Sequence, residues 1–235
     1  MSRDDQATAG APVPESPAAE RPGPVAEAGW PAGSVPDRLS RAATRLFAER
    51  GFESASVQDI VAAAGVTKGA MYHYFESKDD LLYAIYHRIL AMQTRRLETF
   101  AHAGGGIEER LRGATVDVVE TTLANLDEMT VFFRSLHMLH AAKRTTVRAE
   151  RRAYHELFRS MVADGQRAGV LRADIPPDMV VFFLFGALHD ITTWYRPDGP
   201  LGAREIGDHY AELLLGGLRA TPDGVGWKPG DPNRG

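Results

Sequence analysis

Apolar residues recur along most of the chain with the three-to-four-residue spacing of helices, and no stretch alternates with the period of two that marks a strand. Leu39, Ala42, Ala43, Leu46 and Phe47 form one stripe, which predicts a first helix over about 37–50, with Gly51 placed to end it as a left-handed cap. Ser56 and Asp59 make a capping box, so a second helix opens there with Val57, Ile60 and Val61 turned inward, and Gly65 stops it. Thr67 caps a third, over about 68–75. Ser77 and Asp80 repeat the box and open a long fourth helix over about 77–100, with Leu82, Ile85, Ile89 and Met92 as its inner stripe and Arg96 joining by its stem. Beyond the break Gly104-Gly105-Gly106 the pattern predicts helices over about 107–125, 127–141, 145–168, 177–194 and 203–218, punctuated by Gly169 and Pro176-Pro177. The predicted fold class is all-α, with nine helices in two domains.

Composition sets the domain limits. Residues 1–33 hold six Pro, four Gly and eight Ala, too little apolar surface to offset the entropy of ordering, and are expected to be a disordered arm. Residues 34–82 are expected to form a helix-turn-helix unit, 83–218 a ligand-binding and dimerisation unit, and 219–235 a flexible tail.

The most informative stretch is GVTKGAMYHYFESKDDLL, Gly65 to Leu82. Two short helices around a glycine turn, packed on a preceding helix, make a helix-turn-helix. Ala62, Ala63, Val66, Ala70 and Met71 suffice to seat its second helix. Successive residues diverge by about 100° around a helix, so Tyr72, His73 and Tyr74 cannot all face inward and at least two rings reach solvent. Thr67 and Lys68 sit at the helix N-terminus, beside unsatisfied backbone N–H groups that suit an anion. Hydroxyls and ammonium groups flanking a helix sized for the major groove are what phosphate clamping requires. The competing reading makes these aromatics ordinary core of a small bundle, a role that Phe75 fills alone.

With 44% hydrophobic and 25% charged residues and no cysteine, the 235-residue chain has no disulfide, thiolate metal site or cysteine nucleophile, and fits a cytoplasmic location. Met1 to Gly33 contains no apolar signal core, and the longest apolar run, Met179 to Leu188, is ten residues against the roughly 20 of a membrane helix. Net charge is −4, and residues 34–82 carry six Lys or Arg against seven Asp or Glu. Affinity for DNA would therefore rest on where charges are placed and not on bulk charge.

The Gly65–Leu82 stretch resembles the DNA-binding signature of the TetR family of bacterial transcriptional repressors. The upstream LFAERGF, Leu46 to Phe52, and SVQDIV, Ser56 to Val61, resemble that family too. The resemblance implies a homodimer on double-stranded operator DNA, one reading head per subunit, and a pocket for a small-molecule inducer in the second domain. It implies that Thr67, Lys68, Gly69 and His73 approach bases and that Ser56, Tyr72, Tyr74 and Lys78 grip phosphates. Tyr74 stands where many relatives carry His. The arm could add contacts through Arg3 and Arg21, the alternative being a plain disordered tail.

Residues 101–218 hold no catalytic constellation. His155-Glu156 begins like a zinc-protease motif, but Arg159 occupies the place of its second His. His137 and His140, three apart, could share a metal; without a carboxylate at helical spacing they read as polar lining or satisfied core. No metal and no cofactor are expected. Large apolar groups crowd three helices, and most of them must be bundle core; a few, with a polar tip or two, could line an apolar cavity. The residues singled out for a ligand are Phe133, His137, His140, Phe158 and Phe182, with Arg148, Arg151 and Arg152. These last belong to a run from Lys143 to Arg152 with five basic residues in ten. The run reads either as a solvated face or as the seat of a phosphate-bearing, apolar ligand such as an acyl-CoA. The C-terminal part, Phe185 to Leu218, is similar to TetR regulators of lipid, steroid or aromatic catabolism, several of which answer to CoA thioesters.

Helix 179–194 is apolar nearly all round and needs partners on both sides. Ile206, Tyr210, Leu213, Leu214 and Gly217 stripe the last helix. Two such helices from each subunit would pack as a four-helix bundle about a two-fold axis, with Phe185, Gly186, His189, Tyr210, Leu213, Leu214 and Gly217 at the interface. The functional expectation is a ligand-responsive repressor released from a palindromic operator. Its rivals are an all-helical enzyme working in the cavity and a DNA-binding protein with no ligand.

Overall fold

The computed structural model describes residues 30–220. Among them are nine α-helices: α1 Val35–Arg50, α2 Val57–Ala64, α3 Lys68–Tyr74, α4 Lys78–Ala101, α5 Ile107–Ala124, α6 Leu126–Arg134, α7 Ala141–Arg167, α8 Pro177–Trp194 and α9 Ala203–Leu218. A 3-10 turn, Leu136–Met138, joins α6 to α7. The fold is all-α; one isolated antiparallel bridge, Leu171 with Arg219, closes the chain ends of the second half. The expected arm and tail fall largely on residues 1–29 and 221–235, outside the described residues.

The local signals act as expected at the first helices. Ser56 accepts the Asp59 N–H at 3.1 Å while the Asp59 carboxylate accepts the Ser56 N–H at 3.1 Å, the reciprocal cap of α2. Gly65 ends α2 at φ 63°, ψ 39°, a left-handed conformation that side-chain-bearing residues rarely adopt. Thr67 accepts the Ala70 N–H at 3.1 Å and Ser77 the Asp80 N–H at 3.1 Å, opening α3 and α4.

Between α6 and α7 the structure corrects the periodic pattern. Where helices were expected over about 127–141 and 145–168, α6 stops at Arg134 and α7 begins at Ala141. The reason lies 61 residues upstream: the Asp79 carboxylate accepts the His140 N–H at 3.0 Å, so an acidic side chain of α4 does the work of a local cap. Lys143, on the first turns of α7, closes the joint by pairing with Asp79 and Asp80.

Two hydrophobic cores result. The first is built from α1, α2, α3 and the first half of α4, and is completed by Met129, Val131, Phe132, Leu139 and Val147 from α6, the following turn and α7. The second joins α5, the later part of α7, α8 and α9 around Leu97 at the far end of α4. Helix α4 therefore runs through both. Its Tyr86, fully buried, bonds to the Phe132 and Val131 carbonyls at 2.6 and 3.1 Å, and its Arg96 grips Asp117 of α5 through Nε at 2.9 and 3.0 Å. Helices α5 and α9 pack closest where Gly207 faces Val116; a Cβ there would sit 3.1 Å from the valine side chain. Gly113 and Gly165 are tighter still, a Cβ there meeting Phe100 at 2.7 Å and Leu171 at 2.6 Å, while a Cβ at Gly186 or Gly217 would meet nothing within 4 Å.

Candidate nucleic-acid interface and ligand cavity

Helix α3 is seated by its short apolar side. Met71 is fully buried and Phe75, its C-cap, nearly so, with Trp30 edge-on against the Phe75 ring at 5.5 Å. The opposite side is open. Lys68, Gly69, Tyr72, His73 and Tyr74 are all exposed, Tyr72 at 46% and Tyr74 at 38%. These rings are therefore surface and not core. The Lys68 ammonium lies 5.8 Å from the centre of the Tyr72 ring, and His73 stands edge-on to Tyr74 at 4.9 Å. A Cβ at Gly69 would meet only the Thr67 hydroxyl, at 3.9 Å, so packing within the chain does not demand glycine there. What its bareness provides is an approachable backbone on the exposed side.

Two expected phosphate contacts are engaged inside the subunit. The Lys78 ammonium donates to the Phe52 and Ala55 carbonyls at 2.6 and 2.9 Å and lies 4.3 Å from the Phe52 ring. Burial there lowers its proton affinity. The Ser56 hydroxyl donates to Asp59 at 2.6 Å, and these two bonds from Ser56 hold the Asp59 carboxyl below the usual carboxylate range. Thr67 uses its oxygen as a cap and keeps its proton to donate.

In the second half, α4, α5, α6, α7 and α8 surround a narrow cavity of about 350 Å³, mouth included. Its walls are mostly apolar, among them Leu90, Val118, Met129, Phe133, Phe185 and Leu188. Gln93, Thr122, Arg151 and His155 are the polar exceptions. His155 stacks on Phe185 with ring centres 4.3 Å apart; burial, and then the charge of Arg151, push its pKa down to about 4.

Of the ligand residues expected from sequence, Phe133 and Arg151 line this cavity. Phe158 is core, 1% exposed, edge-on to Phe185. Phe182 is 64% exposed on the outer side of α8. His137 lies at a separate surface groove beside Phe52 and Arg134, and His140 is taken up in the start of α7. Arg148 and Arg152 are exposed. The basic run thus divides, one guanidinium facing in and two facing out. Sequence reading missed Gln93, Thr122 and Tyr154, because residues at core spacing on α4, α5 and α7 give no sign of which gap they border.

The residues expected between subunits divide as well. Phe185 faces the cavity and Leu214 is 4% exposed in the subunit's own core. Gly186, His189, Leu213 and Gly217 are exposed and Tyr210 is half-buried. Leu213, at 72% exposure, is joined among the exposed large apolar residues by Met179, Phe182, Phe183 and Trp194 of α8, which the hydrophobic run concealed among core positions.

Among the described residues no three His, Asp or Glu are grouped to hold a metal, and no helix is long and apolar enough to cross a membrane.

Comparison with known proteins agrees with this architecture. Residues 39–85 match the model of bacterial regulatory proteins of the tetR family, and residues 104–218 match a tetracyclin repressor-like C-terminal domain. The chain is 28% identical over 198 residues to the HTH-type transcriptional repressor KstR2 of Mycobacterium tuberculosis strain H37Rv, an alignment covering 83% of this chain and 98% of that protein. A crystal structure of a transcriptional regulator of the TetR/AcrR family from Thermobifida fusca is 34% identical, with a TM-score of 0.63, covering 79% of this chain and 98% of that one. The structure of AibR in complex with isovaleryl coenzyme A and operator DNA shares the fold at 23% identity and a TM-score of 0.70, covering 77% of this chain and 98% of that one.

Proposed function

Because the chain belongs to the TetR family of bacterial transcriptional regulators, we propose that it works as a homodimeric repressor that leaves a palindromic operator when a small apolar ligand fills the cavity of its second half. The observation that carries this reading is α3: a helix seated by Met71 and Phe75 whose opposite side offers Lys68, Tyr72, His73 and Tyr74 to solvent. In the complex Thr67, Lys68, Gly69 and His73 approach base edges in the major groove, and Tyr72 and Tyr74 lie against the backbone. The apolar face of α8 and α9 meets its copy across a two-fold axis, which spaces the two reading heads for a palindrome.

The ligand is read as an acyl-CoA thioester, its acyl group in the cavity and its phosphates at Arg148 and Arg152 outside. Support comes from the division of the basic run and from the isovaleryl coenzyme A bound to AibR. To release DNA the ligand must favour the arrangement in which the reading heads are misspaced, since equal affinity for both arrangements shifts nothing.

A gel shift at fixed salt tests the reading head. Replacing Lys68 and Tyr72 together with Ala should weaken operator binding by about 1–3 kcal/mol or more while circular dichroism stays native. Wild-type affinity in that double variant refutes the assignment of α3 as the reading helix.

A further inference from the structure

The cavity contains one charge that the protein leaves unanswered. Arg151 borders it from α7, its guanidinium carbon 5.8 Å from the centre of the Phe132 ring. Burial lowers its proton affinity, and the neighbour that acts on it is Tyr86, a phenol that burial keeps protonated. The adjacent Glu150 turns instead to His87 of α4, at 3.0 Å, and Glu128 of α6 is paired with Arg88. Among the described residues no carboxylate pairs with Arg151. A guanidinium does not give up its charge at ordinary pH, so it gains most from an anion brought into the cavity.

Two uncharged groups point to the same need. Thr122 is 1% exposed, borders the cavity, and its hydroxyl has no hydrogen-bond partner among the described residues. Gln93, 6% exposed, sets its amide nitrogen against the Met129 sulfur at 3.9 Å, a weak acceptor. An apolar pocket carrying a half-buried cation and an unsatisfied buried hydroxyl is built for a ligand that is apolar over most of its surface and oxygen-bearing at one point. His155 does not compete for that role, since it is neutral near pH 7.

We infer that the ligand presents a carboxylate to the Arg151 guanidinium, with Thr122 and Gln93 beside it and a compact apolar body against Phe133, Phe185 and Leu188. Planar carboxylate on planar guanidinium is the pairing that gives two parallel charge-assisted bonds. The cavity is narrow, and its roughly 350 Å³ includes the open mouth, so the body is small. The inference rests on the cavity being the sensor's ligand site; a half-thioester narrows the acyl-CoA reading above, and a free acid replaces it. Two sources supply this chemistry: a free apolar acid, or the far carboxylate of a dicarboxylic half-thioester whose phosphates remain outside at Arg148 and Arg152. The thioester of a simple monoacid has spent its carboxylate and leaves Arg151 unanswered.

Titration calorimetry on the full chain decides it, using 3-phenylpropionate and octanoate, each beside its primary amide and its CoA thioester, together with the mono-CoA thioester of suberic acid. The expected result is at least a tenfold preference for one carboxylate-bearing partner of a matched pair: acid over amide if the ligand is free, suberyl over octanoyl thioester if it is a half-thioester. Arg151→Gln should erase that preference and Arg151→Lys restore part of it. The comparison within wild type stands even if the glutamine variant folds poorly. Equal binding within every matched pair, or a preference that survives Arg151→Gln, overturns the carboxylate and leaves the sensor reading standing. If no probe binds, charged or neutral, both fall.

Discussion

Lys78 shows how far a residue's role can be read from its place in a motif. The sequence sets it where a phosphate-gripping residue is expected, yet its ammonium is bonded to the Phe52 and Ala55 carbonyls, fastening the loop before α2 to the start of α4. Lys78→Ala should therefore lower the free energy of unfolding by about 1–2 kcal/mol in a denaturant titration. The slope of log affinity for operator against log salt should stay as in wild type; a fall of about 0.9 would mean that a phosphate contact had been lost. His155 carries the pH dependence. Its proton affinity in the folded chain is held near pKa 4 by burial and by Arg151, against about 6.5 in the unfolded chain. Between these values the unfolded chain binds more protons, so stability falls as pH is lowered from about 6.5 towards 4. His155→Phe keeps a ring on Phe185 and removes the titration. The melting temperature of wild type relative to this variant should drop across that range. The caps at Ser56, Thr67 and Ser77 were legible because each bonds three residues away; the lining role of His155 was not, because Phe185, the ring it stacks on, lies 30 residues on.

Helix by helix, the periodic pattern located every α-helix and misplaced two boundaries, the end of α6 and the start of α7. Helices α6 and α7 meet where Asp79, far away in sequence, supplies the acceptor for His140, and no local pattern encodes such a cap. Their neighbour Tyr86 has the same long-range character. Its hydroxyl ties α4 to the last turn of α6, and α6 lines the cavity through Met129 and Phe132. Tyr86→Phe removes the one proton that the phenol shares between the Phe132 and Val131 carbonyls, of which Val131 keeps the Ser135 N–H at 2.9 Å, and should cost about 1–2 kcal/mol of stability. It should also loosen the link between cavity and reading head: the ligand concentration for half-release of operator, divided by that for half-occupancy, should rise above the wild-type ratio. An unchanged ratio would place the link elsewhere than α6.

At the scale of the molecule, the exposed apolar residues of α8 and α9 are where we propose that two subunits meet. The sequence announced that α8 needed partners on both sides and that α9 carried an apolar stripe, but which residues face a partner and which the subunit's own core depends on a rotation that the pattern leaves undetermined. Joint replacement of Phe182 and Leu213 by Asp should yield a folded monomer in sedimentation, with operator binding lost, because burying those charges at a two-fold is prohibitive. Leu214→Asp should instead unfold the subunit, since that side chain is core. A dimer that persists through the double change would move the interface off this face. The two cores carry a different consequence. The one beneath the reading head takes Met129, Val131, Phe132, Leu139 and Val147 from beyond residue 85, where the match to the DNA-binding family model ends. A hybrid regulator spliced at that point would inherit another protein's floor under its own helices. To transplant this reading head intact, a designer would have to carry across the 129–147 segment as well, as a second graft discontinuous in the chain.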